Sequence, residues 1–116
     1  MVDMTRERFE ELVAEALDSI PEELGRRMDN VVVRVRDASP RRGLLGLYEG
    51  IPLTERVDYG GGGPVMPDRI TVYRASILAV CETEEDVVDQ VRTTVIHEVA
   101  HHFGIDDDRL DELGWA

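Results

Sequence analysis

All three histidines of this 116-residue chain lie within six consecutive positions. The stretch TTVIHEVAHHFGIDDD, residues 93–108, contains His97, His101 and His102, and it ends in three aspartates. A pair of histidines four residues apart places two imidazoles on adjacent turns of one helix face, where both can reach a single tetrahedral ion. The spacing of His97 and His101 therefore predicts a metal site carried by a helix.

Glu98 follows His97 directly and so projects to one side of the histidine pair. From there its carboxylate can face a water on the metal without binding the metal itself. This is the HExxH arrangement, in which the metal acidifies its water, the glutamate accepts the proton and the hydroxide attacks a carbonyl. Glu98 is the predicted general base.

The other side of the same helix is predicted to face the hydrophobic core. At about 100° per residue, a narrow stripe of valines repeats at helical spacing: Val88, Val91, Val95 and Val99. His97 and His101 lie on nearly the opposite side. His102 points within about 40° of the stripe, which favours a partly buried packing role for it over metal binding.

The residues after the histidines supply a candidate third ligand. Gly104 lies where a helix that stops and turns back places a left-handed glycine, and Ile105 can make the apolar contact that accompanies such a cap. Asp107 then returns toward the histidines as an oxygen ligand. Two histidines and one carboxylate leave a fourth position for water, which is typical of catalytic zinc sites.

The neighbouring aspartates offer alternatives to Asp107. Asp106, Asp107 or Asp108 could each cap the short helix predicted by DRLDEL, residues 108–113, with Asp111 completing a capping box from Asp108. A capping role would compete with metal binding at the same residue. Asp106, Asp108 and Asp111 therefore remain alternative ligands.

The pattern of the remaining sequence predicts the elements that would position this site. A helix spans residues 5–24 with Thr5 as N-cap and an interruption at Pro21, and the motif helix runs from Glu82 to about Phe103 with Thr83 as cap. Strands are predicted at residues 31–36, 44–53 and 69–77. The segment 54–68 is irregular, and its glycine run 60–63 is interpreted as a surface loop because no Lys-Ser/Thr pair follows, as a phosphate loop requires.

Composition narrows the setting. A net charge of −12 argues against nucleic acid and anionic membrane surfaces, which require a basic face. The single cysteine, Cys81, excludes an intrachain disulfide and a thiolate metal cluster. With neither a signal-peptide pattern nor an apolar run of about 20 residues, we expect a single cytoplasmic domain, residues 1–116, whose oligomeric state is open.

The motif His97-Glu98-x-x-His101-x-x-Gly104-x-x-Asp107 resembles the HExxHxxGxxD signature of zincin metallopeptidases. Together with LLGLYEGIPLTER (44–56) and PDRITVYR (67–74), it is similar to the minimal zincin-like metallopeptidases of bacteria. The resemblance implies an α+β fold, with a small mixed sheet packed by the N-terminal helix and the motif helix. It also implies Zn²⁺ bound by His97, His101 and Asp107, Glu98 as base, and hydrolysis of peptide bonds.

The leading interpretation is a zinc metallopeptidase whose peptide or protein substrate lies extended along the strand at 44–53. Metzincins carry a methionine downstream of the motif and larger zincins a downstream Tyr or His that stabilises the oxyanion, whereas here Met66 is the last methionine and neither Tyr nor His follows His102. Tyr48 and Tyr73 are candidate replacements as donor. One missing donor typically costs ~10²–10³ in rate, so slow turnover is expected. The alternatives are a metal-binding regulatory or interaction domain with little turnover, and a domain with a fortuitous motif.

Overall fold

The computed structural model describes residues 1–50 and 67–115. Within them the chain forms five helices and three strands, in the order α1 Arg6–Asp18, α2 Glu22–Arg26, β1 Val31–Arg36, β2 Gly46–Glu49, β3 Asp68–Tyr73, α3 Arg74–Ala79, α4 Glu84–His102 and α5 Asp107–Leu113. The α+β class predicted from the sequence is confirmed. The end of the predicted second strand, residues 51–53, and the glycine run 60–63 lie outside the described residues.

The three strands form a mixed sheet in the order β1-β3-β2. Strand β1 pairs with β3 in parallel, with Val31 opposite Asp68. Strand β2 pairs with the other side of β3 in antiparallel fashion, with Gly46 opposite Val72. The predicted second strand is therefore an edge strand of the described sheet, shorter than expected.

The hydrophobic core lies between the sheet and helices α1 and α4. Phe9 of α1, Ile70 of β3 and Val95 of α4 are all 0% exposed. Each fully buried side chain of this kind contributes about 1.5–3 kcal/mol. The predicted valine stripe is confirmed, since its last three members are fully buried and Val88 packs against the core. This packing fixes the rotation of the motif helix about its axis.

The predicted termini of the helices are also confirmed. The Thr5 hydroxyl accepts from the amide of Arg8 at 3.1 Å, and the chain breaks its first helix before Pro21. The Thr83 hydroxyl accepts from the amide of Asp86 at 3.0 Å, while the Asp86 carboxylate accepts from the amides of Glu82 and Thr83. The motif helix thus begins in a complete capping box.

The prediction that the third strand continues to Ile77 is wrong. Strand β3 ends at Tyr73, and Arg74–Ala79 form helix α3. The partner strand β1 ends at Arg36, and the next residue, Asp37, binds the start of α3. The Asp37 carbonyl accepts from the Ala75 amide at 3.0 Å, and the Asp37 carboxylate accepts from Arg74 Nε at 2.8 Å. Among the described residues the strand pairing of β3 ends at Tyr73, and there the chain turns into a helix.

None of the helices in residues 1–50 and 67–115 is long and apolar enough to cross a lipid bilayer.

Candidate functional site

Strand β2 lies directly alongside helix α4. A Cβ atom on Gly46 would lie only 2.6 Å from Thr94 Cγ2, so only glycine fits where the strand passes this close. Two residues further along the strand, the Tyr48 amide donates a hydrogen bond to Glu98 Oε1 at 2.9 Å. Two residues of a strand span about 6.6 Å along its axis, and four residues of a helix span about 6 Å. Every second residue of β2 can therefore contact every fourth residue of α4.

His102 makes the third contact of this series, and the prediction that it leans toward the core is wrong. Its side chain is 37% exposed, and its ring stacks on Tyr48 with the ring centroids 3.9 Å apart. A Cβ on Gly50 would lie 3.4 Å from His102 Cε1. His102 is eight residues after Thr94, so it belongs to the helix face that contacts β2. His102 does pack, but against Tyr48 of the edge strand, and it is exposed rather than partly buried.

His97 and His101 lie on the adjoining face of the helix. Their rings are 6.0 Å apart between centroids and 24° from parallel, so the two imidazoles stand side by side one turn apart. His97 is half-buried, whereas the side chain of His101 is 52% exposed. Glu98 lies between this pair and strand β2.

The helix ends as the glycine spacing predicts. Gly104 has φ +77°, in the left-handed region. Its amide donates to the His101 carbonyl at 3.1 Å, and the Ile105 amide donates to the Ala100 carbonyl at 2.8 Å. These two bonds form a Schellman motif, and Ile105 packs against the core as such a cap requires. The chain is thereby turned back toward the histidines.

Different aspartates of the run cap helix α5 and contact the motif histidine His101. Asp106 is the N-cap of α5, and its carboxylate accepts from the Arg109 amide at 2.9 Å. Asp107 is the first residue of that helix, and its Oδ1 lies 3.2 Å from His101 Nε2. Because Asp106 takes the capping role, the Asp107 carboxylate is left to contact His101.

The three predicted ligands are neighbours without forming a closed site. Among residues 1–50 and 67–115, no group of three His, Cys, Asp or Glu side chains is arranged to hold a metal ion. His101 and Asp107 instead contact each other directly. The chemistry of the set, two imidazoles and one carboxylate, nevertheless fits Zn²⁺.

A buried carboxylate near the motif was missed from the sequence. Asp68 opens strand β3, is 7% exposed and accepts a hydrogen bond from the Tyr48 hydroxyl at 2.6 Å. Its Oδ2 also lies 3.8 Å from His102 Nε2. The sequence carried no signal for this role, since an aspartate after Pro67 at a strand start is ordinary turn chemistry.

The candidate oxyanion donors have other surroundings. The Tyr48 hydroxyl is bound to Asp68, and Tyr73 is 5% exposed at the junction of β3 and α3. Two open clefts of about 430 Å³ lie beside α1, one next to Glu84 and one next to Val33, and neither is lined by the motif histidines. An extended substrate bound along a strand edge does not require a deep cavity.

Comparison with known proteins agrees with this architecture. A family model described as zincin-like metallopeptidase matches residues 28–115, which extends the resemblance back from Leu44 to Met28. A solved structure of a conserved hypothetical protein from Thermus thermophilus is 30% identical, with a TM-score of 0.57 over 95% of this chain and 97% of that one. No curated protein matches. The chain belongs to the zincin-like metallopeptidase family.

Proposed function

We propose that this protein is a zinc-dependent peptidase in which His97, His101 and Asp107 hold Zn²⁺ and Glu98 is the general base. The observation that carries the proposal is the position of Glu98. Glu98 follows His97 directly on the motif helix, and its carboxylate accepts from the Tyr48 amide of edge strand β2 at 2.9 Å. A base placed there can reach both a metal-site water and a peptide aligned on the strand.

The chain's own residues divide the work of hydrolysis. His97, His101 and Asp107 would hold Zn²⁺, which when bound would supply a Lewis acid that lowers the pKa of water and polarises a carbonyl. Glu98 Oε1 is fixed by the Tyr48 amide, so Oε2 is the oxygen oriented to take the proton. The same carboxyl group then returns that proton to the leaving amine.

The substrate in this proposal is an extended peptide paired with β2. The Tyr73 amide donates to the Leu45 carbonyl at 3.0 Å, which shows which residues of β2 are hydrogen-bonded to β3 and which are not. In an antiparallel pair successive residues alternate in direction, so the backbone groups of Gly46 and Tyr48 point away from β3. A peptide that paired with Gly46 would pass beside Glu98, which already accepts from the Tyr48 amide. Main-chain pairing of this kind supplies affinity with little demand on side chains.

The test is to compare wild type with Glu98→Gln, both loaded with zinc, on an unstructured protein and a peptide library. Wild type should cleave and Glu98→Gln should not, with zinc still bound, because an amide cannot accept the proton. The control is Glu85→Gln, an exposed glutamate on the same helix, which should cleave like wild type.

The other outcomes of this assay are equally informative. Equal cleavage by wild type and Glu98→Gln would show that Glu98 is not the base. No cleavage by zinc-loaded wild type would favour the alternative, a metal-binding regulatory or interaction domain with little turnover.

A further inference from the structure

We propose that Tyr48, held from two sides by Asp68 and His102, positions the Glu98 carboxylate. Asp68 and His102 would thus be positioning residues for the reaction proposed above, and the kinetic part of this inference rests on that proposed function. Neither residue is one of the predicted metal ligands.

Asp68 is anchored at the start of the central strand of the sheet. It is the first residue of the central strand β3, and its amide donates to the Asn30 carbonyl at 3.0 Å. A buried carboxylate is costly unless it accepts hydrogen bonds, and bonds to an ionised acceptor are short and strong. The 2.6 Å bond from the Tyr48 hydroxyl has this character. The far end of the Tyr48 side chain is therefore tied to the sheet.

His102 holds the ring itself. The imidazole and the phenol lie 3.9 Å apart between centroids and 17° from parallel, so the histidine covers one face of the tyrosine. His102 Nε2 lies 3.8 Å from Asp68 Oδ2, which brings all three side chains together. Because His102 is the last residue of α4, the cluster also joins the end of the motif helix to strand β2.

The backbone of Tyr48 transmits this fixation to Glu98. A side chain held at both its ring and its hydroxyl leaves the adjoining peptide plane little freedom to rotate. That plane carries the amide that donates to Glu98 Oε1 at 2.9 Å. Displacement of a reacting group by about 1 Å can cost about 10²-fold in rate, so a loosened Tyr48 would reduce the efficiency of the base.

The first test needs no activity. Hydrogen exchange at the Tyr48 amide is measured by NMR in wild type, Glu98→Ala, Tyr48→Phe and Asp68→Ala. Exchange should be slow in wild type and about tenfold faster or more in each variant, since each loosens the bond to Glu98. Tyr48→Phe removes one oxygen and keeps the ring, so it remains informative if Asp68→Ala folds poorly. Exchange in Tyr48→Phe equal to wild type would overturn the proposal.

The second test separates positioning from general stability. Tyr48→Phe should lower kcat about tenfold or more per zinc-loaded molecule with little change in KM, because the base is misplaced while substrate pairing is retained. Asp68→Asn, which keeps an acceptor for the phenol, should recover most of the kcat lost in Asp68→Ala. Unchanged kcat in Tyr48→Phe, or equal loss in both Asp68 variants, contradicts positioning. If wild type cleaves nothing, the proposed function fails, and the exchange experiment alone decides whether Tyr48 positions Glu98.

Discussion

His101 Nε2 and Asp107 Oδ1 lie 3.2 Å apart, although Asp107 comes six positions after His101 and beyond the end of the motif helix. The left-handed turn at Gly104 reverses the chain, and the cap at Asp106 starts the next helix. The first residue of that helix then faces the last turn of the motif helix. Two of the three predicted ligands are thus brought together by backbone geometry.

Substitution of single histidines should separate ligands from packing residues. Purified protein should hold about one zinc per chain, and His97→Ala or His101→Ala should abolish its retention. His102→Ala should retain zinc but lower Tm, because a stacked aromatic pair of this kind contributes about 0.5–1.5 kcal/mol. Metal analysis after gel filtration and a thermal melt measure both effects. Equal zinc loss in all three variants would show that the helix faces are wrongly assigned.

Substituting Asp107 should lower zinc affinity, whereas substituting Asp106 should lower stability. Asp107→Ala should weaken zinc affinity more than about 100-fold, since losing a ligand exceeds the cost of losing an outer-sphere partner. Asp106→Ala should cost about 0.5–2 kcal/mol of stability through the lost cap, with a far smaller change in zinc affinity. Competition with a zinc chelator and a denaturant titration distinguish the two. The opposite ranking of zinc affinities would move the third ligand to Asp106.

Two left-handed glycines form a matched pair for testing the turn. Gly104 and Gly114 have φ values of +77° and +74°, and a Cβ on either would meet nothing within 4 Å. Each Gly→Ala change should therefore cost about 1–2 kcal/mol from backbone strain alone. Only Gly104→Ala should also weaken zinc binding, because only that turn carries Asp107 toward His101. Equal zinc affinities in the two variants would mean that the turn does not set the ligand position.

The capping box of the motif helix should make stability depend on pH. Hydrogen bonds from the Glu82 and Thr83 amides hold the pKa of Asp86 below its ordinary value of 3.8. A carboxyl group whose pKa is lowered by folding stabilises the protein above that ordinary value, and the stabilisation is lost as pH falls through the lowered pKa. Asp86→Ala should thus lower Tm at pH 7, and the difference from wild type should shrink below about pH 4.

The control for this experiment is Asp89→Ala, which removes an exposed carboxylate one turn further along the same helix. It leaves the capping box intact, so it measures the effect on Tm of removing a carboxylate from this helix without removing the cap. A Tm difference for Asp86→Ala that stays constant from pH 7 to about pH 3 would show that the carboxylate form is not what caps the helix.

Features set by neighbouring residues could be predicted from the sequence. The cap at Thr83, the turn at Gly104 and the buried valine face of α4 each depend on side chains within one or two turns of each other. Capping bonds, the steric freedom of glycine and helical periodicity act over that range. The sequence alone could therefore predict which residues belong to the candidate site, but not their geometry.

Features set by distant residues could not be predicted. Strand β3 ends where Asp37, almost forty positions earlier, binds Arg74 and Ala75. His102 stacks on Tyr48 because the edge strand runs beside the helix, and the buried Asp68 accepts a hydrogen bond from that same tyrosine. Periodicity assigns a residue to a helix face, but only the fold determines what lies against that face.

The regularly spaced contacts between β2 and α4 limit where residues can be inserted or deleted in this region. The strand segment contacts the helix at every second residue, namely Gly46, Tyr48 and Gly50. The helix contacts the strand at every fourth residue, namely Thr94, Glu98 and His102. Deleting one residue from this strand segment would invert the side that each later residue presents, and the glutamate would lose its amide partner. Inserting one residue into the helix would rotate every later position by about 100°. Natural insertions should therefore be tolerated before Leu45 or after Leu113, but not in the segments between the contacts or in the turn that places Asp107.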